Sequence, residues 1–125
     1  VVDGGNTFWL WYHAKKAGLM RALQNVRASS SFSYVGISAG AILAGFTCDT
    51  AYWKGWDDPG VVPAEALTKT LDGLGLVSAA IFPHHGPKWE EVVSEGSGKL
   101  PEGSAVLCIG EEEKKLEIGK LILTT

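Results

Sequence analysis

Ser38 stands in Gly36-Ile37-Ser38-Ala39-Gly40, a G-x-S-x-G pentapeptide between the apolar Tyr34-Val35 and the small, apolar run Ala41-Ile42-Leu43. The order reads as a short strand, a sharp turn with a hydroxyl at its apex, and a helix of small residues. Glycines on either side keep neighbouring side chains away from the hydroxyl. The first amides of such a helix have no intrahelical partner and face whatever the serine attacks. A serine hydroxyl is a weak nucleophile until a base takes its proton, so the rest of the chain must supply an imidazole, a carboxylate and oxyanion donors.

Three other loops carry these groups: Gly4-Gly5-Asn6, Pro83-His84-His85 and Gly110-Glu111-Glu112. Each follows a stretch that reads as a strand, and open α/β sheets gather ligands outside the carboxyl ends of their strands. The loops offer backbone amides, imidazoles and carboxylates in turn, the parts an acyl-transfer site requires. Taken singly, each is ordinary: a glycine turn, a packing histidine, a solvated acidic turn. Together at successive strand ends they predict Ser38 as nucleophile, with the amides of Gly5 and Ala39 as the oxyanion hole. Asn6, Trp53, Asp58 and His85 lie in or beside these loops and are candidates for substrate contact.

The elements that must position these groups alternate between strand and helix. Val1-Val2 reads as a strand end. A helix follows from about Phe8 to Gly18, with Phe8, Trp11 and Tyr12 on one face. A second helix, about Leu19 to Ala28, turns Leu19, Leu23 and Val26 inward. The strand Phe32–Val35 leads to Ser38 and a helix through Gly45. Asp49 to Pro63 is aromatic and turn-rich without a clean period, and reads as a long loop beside the active face. Val62 to Asp72 is expected as a short helix, Ala79–Phe82 as a strand stopping at Pro83, and Lys88 to Glu95 as a helix. Ala105–Ile109 is a continuous apolar run, as in a strand buried on both faces. Leu116–Ile118 and Leu121–Leu123 predict a C-terminal β-hairpin. The fold class is therefore α/β: a mainly parallel sheet flanked by helices, one domain over residues 1–125.

Composition sets the outer limits. The chain has 125 residues, 46% hydrophobic and 20% charged, with a formal charge of −3, an ordinary globular balance without the basic stripe that nucleic acid would demand. No apolar run reaches the ~18 residues of a membrane span. Cys48 and Cys108 lack metal-ligand spacing and favour a reduced, cytoplasmic setting over a disulfide framework. Gly4-Gly5-Asn6 lacks the lysine of a phosphate loop, so no nucleotide, metal or other cofactor is expected.

Order separates serine-hydrolase designs. An α/β-hydrolase runs Ser, Asp/Glu, His, whereas these groups run Ser38, His84, Glu112. Gly4-Gly5-Asn6-Thr7-Phe8, Gly36-Ile37-Ser38-Ala39-Gly40-Ala41 and Pro83-His84 instead resemble the peptidase E family. Its members are aspartyl dipeptidases related to cyanophycinases, on a class I glutamine-amidotransferase-like fold. The resemblance implies Ser38 as nucleophile and His84, rather than His85, as base. It places the acid after the next strand, in Glu111-Glu112, with Glu112 preferred. Leu100-Pro101-Glu102-Gly103 resembles a family acid motif, but Glu102 precedes the apolar strand and is the runner-up. The family carries a βαβ-rich stretch ahead of Gly-Gly-Asn-Thr-Phe that this chain lacks. An N-terminally truncated domain is therefore expected, its exposed sheet edge covered by a second copy or a partner chain. The arginine with which the family binds an N-terminal aspartate has no counterpart between His85 and Glu112. The expected activity is hydrolysis of short peptides by a Ser-His-Glu triad. The alternative is a truncated, non-catalytic relative that serves as an interaction module. An amidotransferase-type domain is the third reading, disfavoured because its elbow residue is cysteine.

Overall fold

The structure, a computed structural model, describes residues 1–29, 33–91, 97–101, 104–109 and 112–117. Helix α1 spans Thr7–Lys16. It starts at Asn6, whose side chain accepts from the Trp9 amide and whose extended backbone lies outside the helix, as an N-cap requires. His13, Lys15 and Lys16 fill its last turn, where cations complement the carbonyl end. Gly18, at φ +74°, turns the chain into α2, Leu19–Ser29. Helix α2 packs on the core through Met20 and Leu23. Leu19 and Val26 are each 39% exposed, so the inward turn predicted for these two is not found.

Val2 and Gly36 form a parallel bridge, with Val2 N donating to Val35 O at 2.8 Å and Ile37 N to Val2 O at 3.0 Å. That bridge sets the first turn beside the serine turn. Helix α3, Ala39–Ala44, follows directly. The segment after it is stitched to residues 71–75: Cys48 N donates to Leu71 O at 2.7 Å and Leu74 N to Leu43 O at 2.8 Å. Asp49 Oδ1 takes the Leu71 amide. These bonds draw Leu71 and Asp72 away from any helix, and of the helix predicted for Val62 to Asp72 a single 3₁₀ turn is found, Ala64–Ala66. The aromatic loop contains two helical turns, α4, Ala51–Lys54, and a 3₁₀ turn, Pro59–Val61. The core lies between α1, α3 and this stitched segment, with Phe8, Trp11, Leu43, Cys48, Leu71 and Leu74 all buried. Trp11 reaches across it, Nε1 donating to Asp72 O at 3.0 Å.

Strand β1, Ala80–His85, runs through Pro83 instead of stopping there, and pairs in parallel with β2, Ser97–Pro101. Strand β2 was not predicted, because Ser-Gly-Lys-Leu-Pro has no apolar alternation. The helix predicted from Lys88 begins as a 3₁₀ turn, Pro87–Trp89, and residues 92–96 fall outside the described part. Strand β3, Ser104–Ile109, pairs antiparallel with β4, Glu112–Glu117. Glu112 and Glu113 thus belong to a strand rather than to an acidic turn. The predicted hairpin at 116–118 and 121–123 reaches beyond the described residues. Parallel pairing holds for β1–β2 and the Val2–Gly36 bridge, antiparallel for β3–β4. Beside the serine turn, Val35 and Ile37 are 50% and 51% exposed. No helix among the described residues is long and apolar enough to cross a membrane.

Candidate active site

Ser38 sits at φ 52°, ψ −109°, immediately before α3. An L-residue reaches such angles only when its surroundings impose them. Three glycines make those surroundings possible. An added Cβ at Gly40 would lie 2.1 Å from Val2 O, and one at Gly36 would lie 2.5 Å from Gly40 O. At Gly4 it would meet Ser38 Cβ at 3.2 Å. Backbone therefore approaches backbone on every side of the turn, and the hydroxyl is left facing out. Tyr34 Oη donates to Gly40 O at 2.7 Å and buttresses the helix start. Burial, with Cys48 nearby, pushes the Tyr34 phenol up to about 12, so it stays a donor.

His84 Nε2 lies 2.9 Å from Ser38 Oγ. With the imidazole neutral and protonated at Nδ1, the hydroxyl donates to Nε2, the arrangement general-base activation needs. His84 reaches this position by an irregularity in β1. Pro83 pairs with Leu100 and His85 with Pro101, leaving His84 as the extra residue of a bulge, at φ +56°. A bulge re-aims one side chain out of the strand's alternation. Among the described residues, Ser38 and His84 are the two non-glycine residues at positive φ. They are also the two that touch each other.

Gly5, at φ +132°, lines the same small cavity as Ser38 and His84. Two contacts from the aromatic loop hold its turn. Asp57 Oδ2 accepts from the Thr7 amide at 2.9 Å, and Asp58 O accepts from Asn6 Nδ2 at 3.0 Å. Ala39 is buried at the start of α3, and the next amide, Gly40 N, is already bonded to Ile37 O. The Ala39 amide thus heads the helix beside the hydroxyl. The cavity measures about 40 Å³, room for water-sized groups. Thr7 Oγ1 is on its wall, buried and without a hydrogen-bond partner among the described residues.

The other predicted contacts are placed differently. Asn6 spends both ends of its side chain, on the Trp9 amide and on Asp58 O. Asp58 Oδ1 caps the next turn through Gly60 N at 2.8 Å. Trp53 packs on Phe82, ring centres 5.8 Å apart. His85 faces Glu90, Nε2 to Oε1 3.4 Å, while its neighbour His84 takes the serine. Glu112 opens β4 opposite Ile109, but the description of this residue stops at its backbone. Glu111 and Glu102 lie outside the described residues. Sequence reasoning missed Asp57, Thr7 and Lys54. Thr7 had a readable signal, as the residue that opens α1 within Gly-Gly-Asn-Thr-Phe; Asp57 and Lys54 had none. No cluster suited to a metal ion occurs among the described residues.

The profile of peptidase family S51 matches residues 1–116, and the chain belongs to that family. A comparison with curated proteins finds no match. Among solved structures, the fold is similar to that of a candidate peptidase E protein from Listeria monocytogenes EGD-e, at a TM-score of 0.74 and 28% identity. The match covers 93% of this chain and 57% of that protein, so the chain spans a little over half the length of its relative.

Proposed function

We propose that the chain is a serine-type peptidase acting on short peptides. Ser38 Oγ attacks the scissile carbonyl while His84 Nε2 takes its proton and returns it to the leaving amine. The amides of Gly5 and Ala39 receive the developing oxyanion. Glu112 orients His84 from the start of β4, with Glu111 and Glu102 as the alternative acids. One observation carries this reading: a 2.9 Å contact joins the two side chains whose backbones are held at positive φ. Strain of that kind persists where the fold over-determines it, and it concentrates at active sites. Membership of a peptidase family supports the reaction class. The buried, free thiol of Cys48 accords with a reducing, cytoplasmic setting.

Exposure of Val35 and Ile37 beside the serine turn favours one other reading, an interaction module that retains the motifs without turnover and docks a partner chain there. A serine-directed fluorophosphonate probe separates the two. Wild-type protein is expected to label, and Ser38→Ala and His84→Ala to stay unlabelled. A folded wild type that resists the probe, or a Ser38→Ala protein that labels as fast, ends the hydrolase reading.

A further inference from the structure

We propose that Lys54 is the positioning residue for His84: its ammonium ties the two carbonyls that flank the bulge and so aims the imidazole at Ser38. The inference rests on the reading of Ser38 and His84 as nucleophile and base. Lys54 ends the single turn of α4, and Gly55, at φ +64°, bends the chain sharply away after it. The start of α4 is seated on β1 by Thr50 Oγ1, which donates to Ile81 O at 2.7 Å. Lys54 Nζ then donates to Pro83 O and, at 3.0 Å, to His84 O.

That pair of acceptors is informative. In a regular strand successive carbonyls point to opposite edges, so one ammonium cannot reach two in a row. Here it does, because His84 is left-handed and its strand is bulged. The cation and the unusual backbone therefore require one another. A left-handed conformation is unfavourable for a non-glycine residue, and charge-assisted hydrogen bonds of this type are strong enough to oppose that cost.

The head group is also enclosed. Nζ lies 4.2 Å from the ring centre of Trp56, 4.6 Å from Phe82 and 5.6 Å from Trp89. Aromatic faces attract a cation and hold it beside the two carbonyls. The Trp56 ring is in turn 6.0 Å from the His84 ring, so the cage and the imidazole form one cluster. Nothing in the sequence order marks Lys54 for this task; the bulge assigns it.

The test combines fluorophosphonate labelling with NMR of the His84 backbone in the full chain. Lys54→Met keeps the length and apolar stem without the donors. It is expected to lower the maximal labelling rate about 100-fold, the size of effect that a misplacement near 1 Å produces, with the probe's dissociation constant unchanged. The His84 Cα and Cβ shifts should move from left-handed towards extended values. Lys54→Arg, which retains donors, should recover much of both. If Lys54→Met unfolds, Lys54→Ala with added propylammonium takes its place, and the amine but not propanol should restore rate and shifts. A change in rate without a change in shifts, the reverse, or no change in either overturns the proposal. An unlabelled wild type would sink the hydrolase reading instead, and the shifts alone would then decide whether the clamp exists.

Discussion

The α-hydrogen of Gly40 faces the carbonyl oxygen of Val2 so closely that a methyl group there would sit 2.1 Å from it. The first strand end and the serine helix are thus locked backbone to backbone. Replacing Gly40 by alanine is expected to cost about 3 kcal/mol or more through overpacking. Gly36→Ala, 2.5 Å from Gly40 O, should behave alike. Gly86→Ala, with open space around it and φ −156°, is the control and should stay within about 0.5 kcal/mol. Urea unfolding of the three variants checks the order; equal stabilities would refute the packing argument.

Asp57 acts on the site through the Thr7 amide. Its removal in Asp57→Ala leaves that amide without its acceptor, at a cost of about 1–2 kcal/mol. The Gly5 turn then loosens, and the rate of probe labelling should fall roughly 10-fold, since oxyanion donors act only when held in place. Asp57→Asn, which keeps an acceptor oxygen, should be milder on both counts. A labelling rate untouched by Asp57→Ala would detach this residue from the site.

Among the candidate acids, Glu112→Gln should reduce turnover by about 10²–10⁴, the range seen when the orienting carboxylate of a triad becomes an amide. Glu111→Gln and Glu102→Gln should stay near wild type. A large loss in Glu102→Gln would transfer the role to it.

Burial, with Asp49 and Asp72 nearby, pushes the Cys48 thiol up to about 12, and Tyr34 is raised likewise. Both groups hold their protons in the folded state at a pH where the unfolded chain has released them. The unfolded state then binds fewer protons, so stability falls as pH rises. The loss should begin near pH 9, where an unperturbed thiol ionises, steepen past 10 as the phenol joins it, and level off near 12. Denaturant midpoints from pH 7 to 11 measure it. Cys48→Ala and Tyr34→Phe should each flatten the alkaline slope, and an unchanged slope in the double variant would exclude this origin.

What could be read from the sequence followed from local geometry. Gly-x-Ser-x-Gly announces a sharp turn because only glycine tolerates the approach of Val2 O. Pro83-His84 marked the proposed base, but not the means by which it is aimed. The bulge at His84 depends on β2, whose Ser-Gly-Lys-Leu-Pro carries no strand pattern and is held by its partner. Lys54, Asp57 and the Asp49–Leu71 bond are long-range contacts of polar groups, and no periodicity records those. The expected helix at Val62 to Asp72 failed for the same reason: a carboxylate far off in sequence outweighed local propensity.

Ser38 occupies a conformation that suits glycine better than serine. Stability and chemistry therefore select for different residues at this one position. A descendant released from the proposed chemistry would gain by replacing the whole serine side chain with a hydrogen while keeping every neighbour in place. In such a lineage the hydroxyl would vanish while the backbone that presents it stayed, and His84, left-handed as well, would be open to the same exchange.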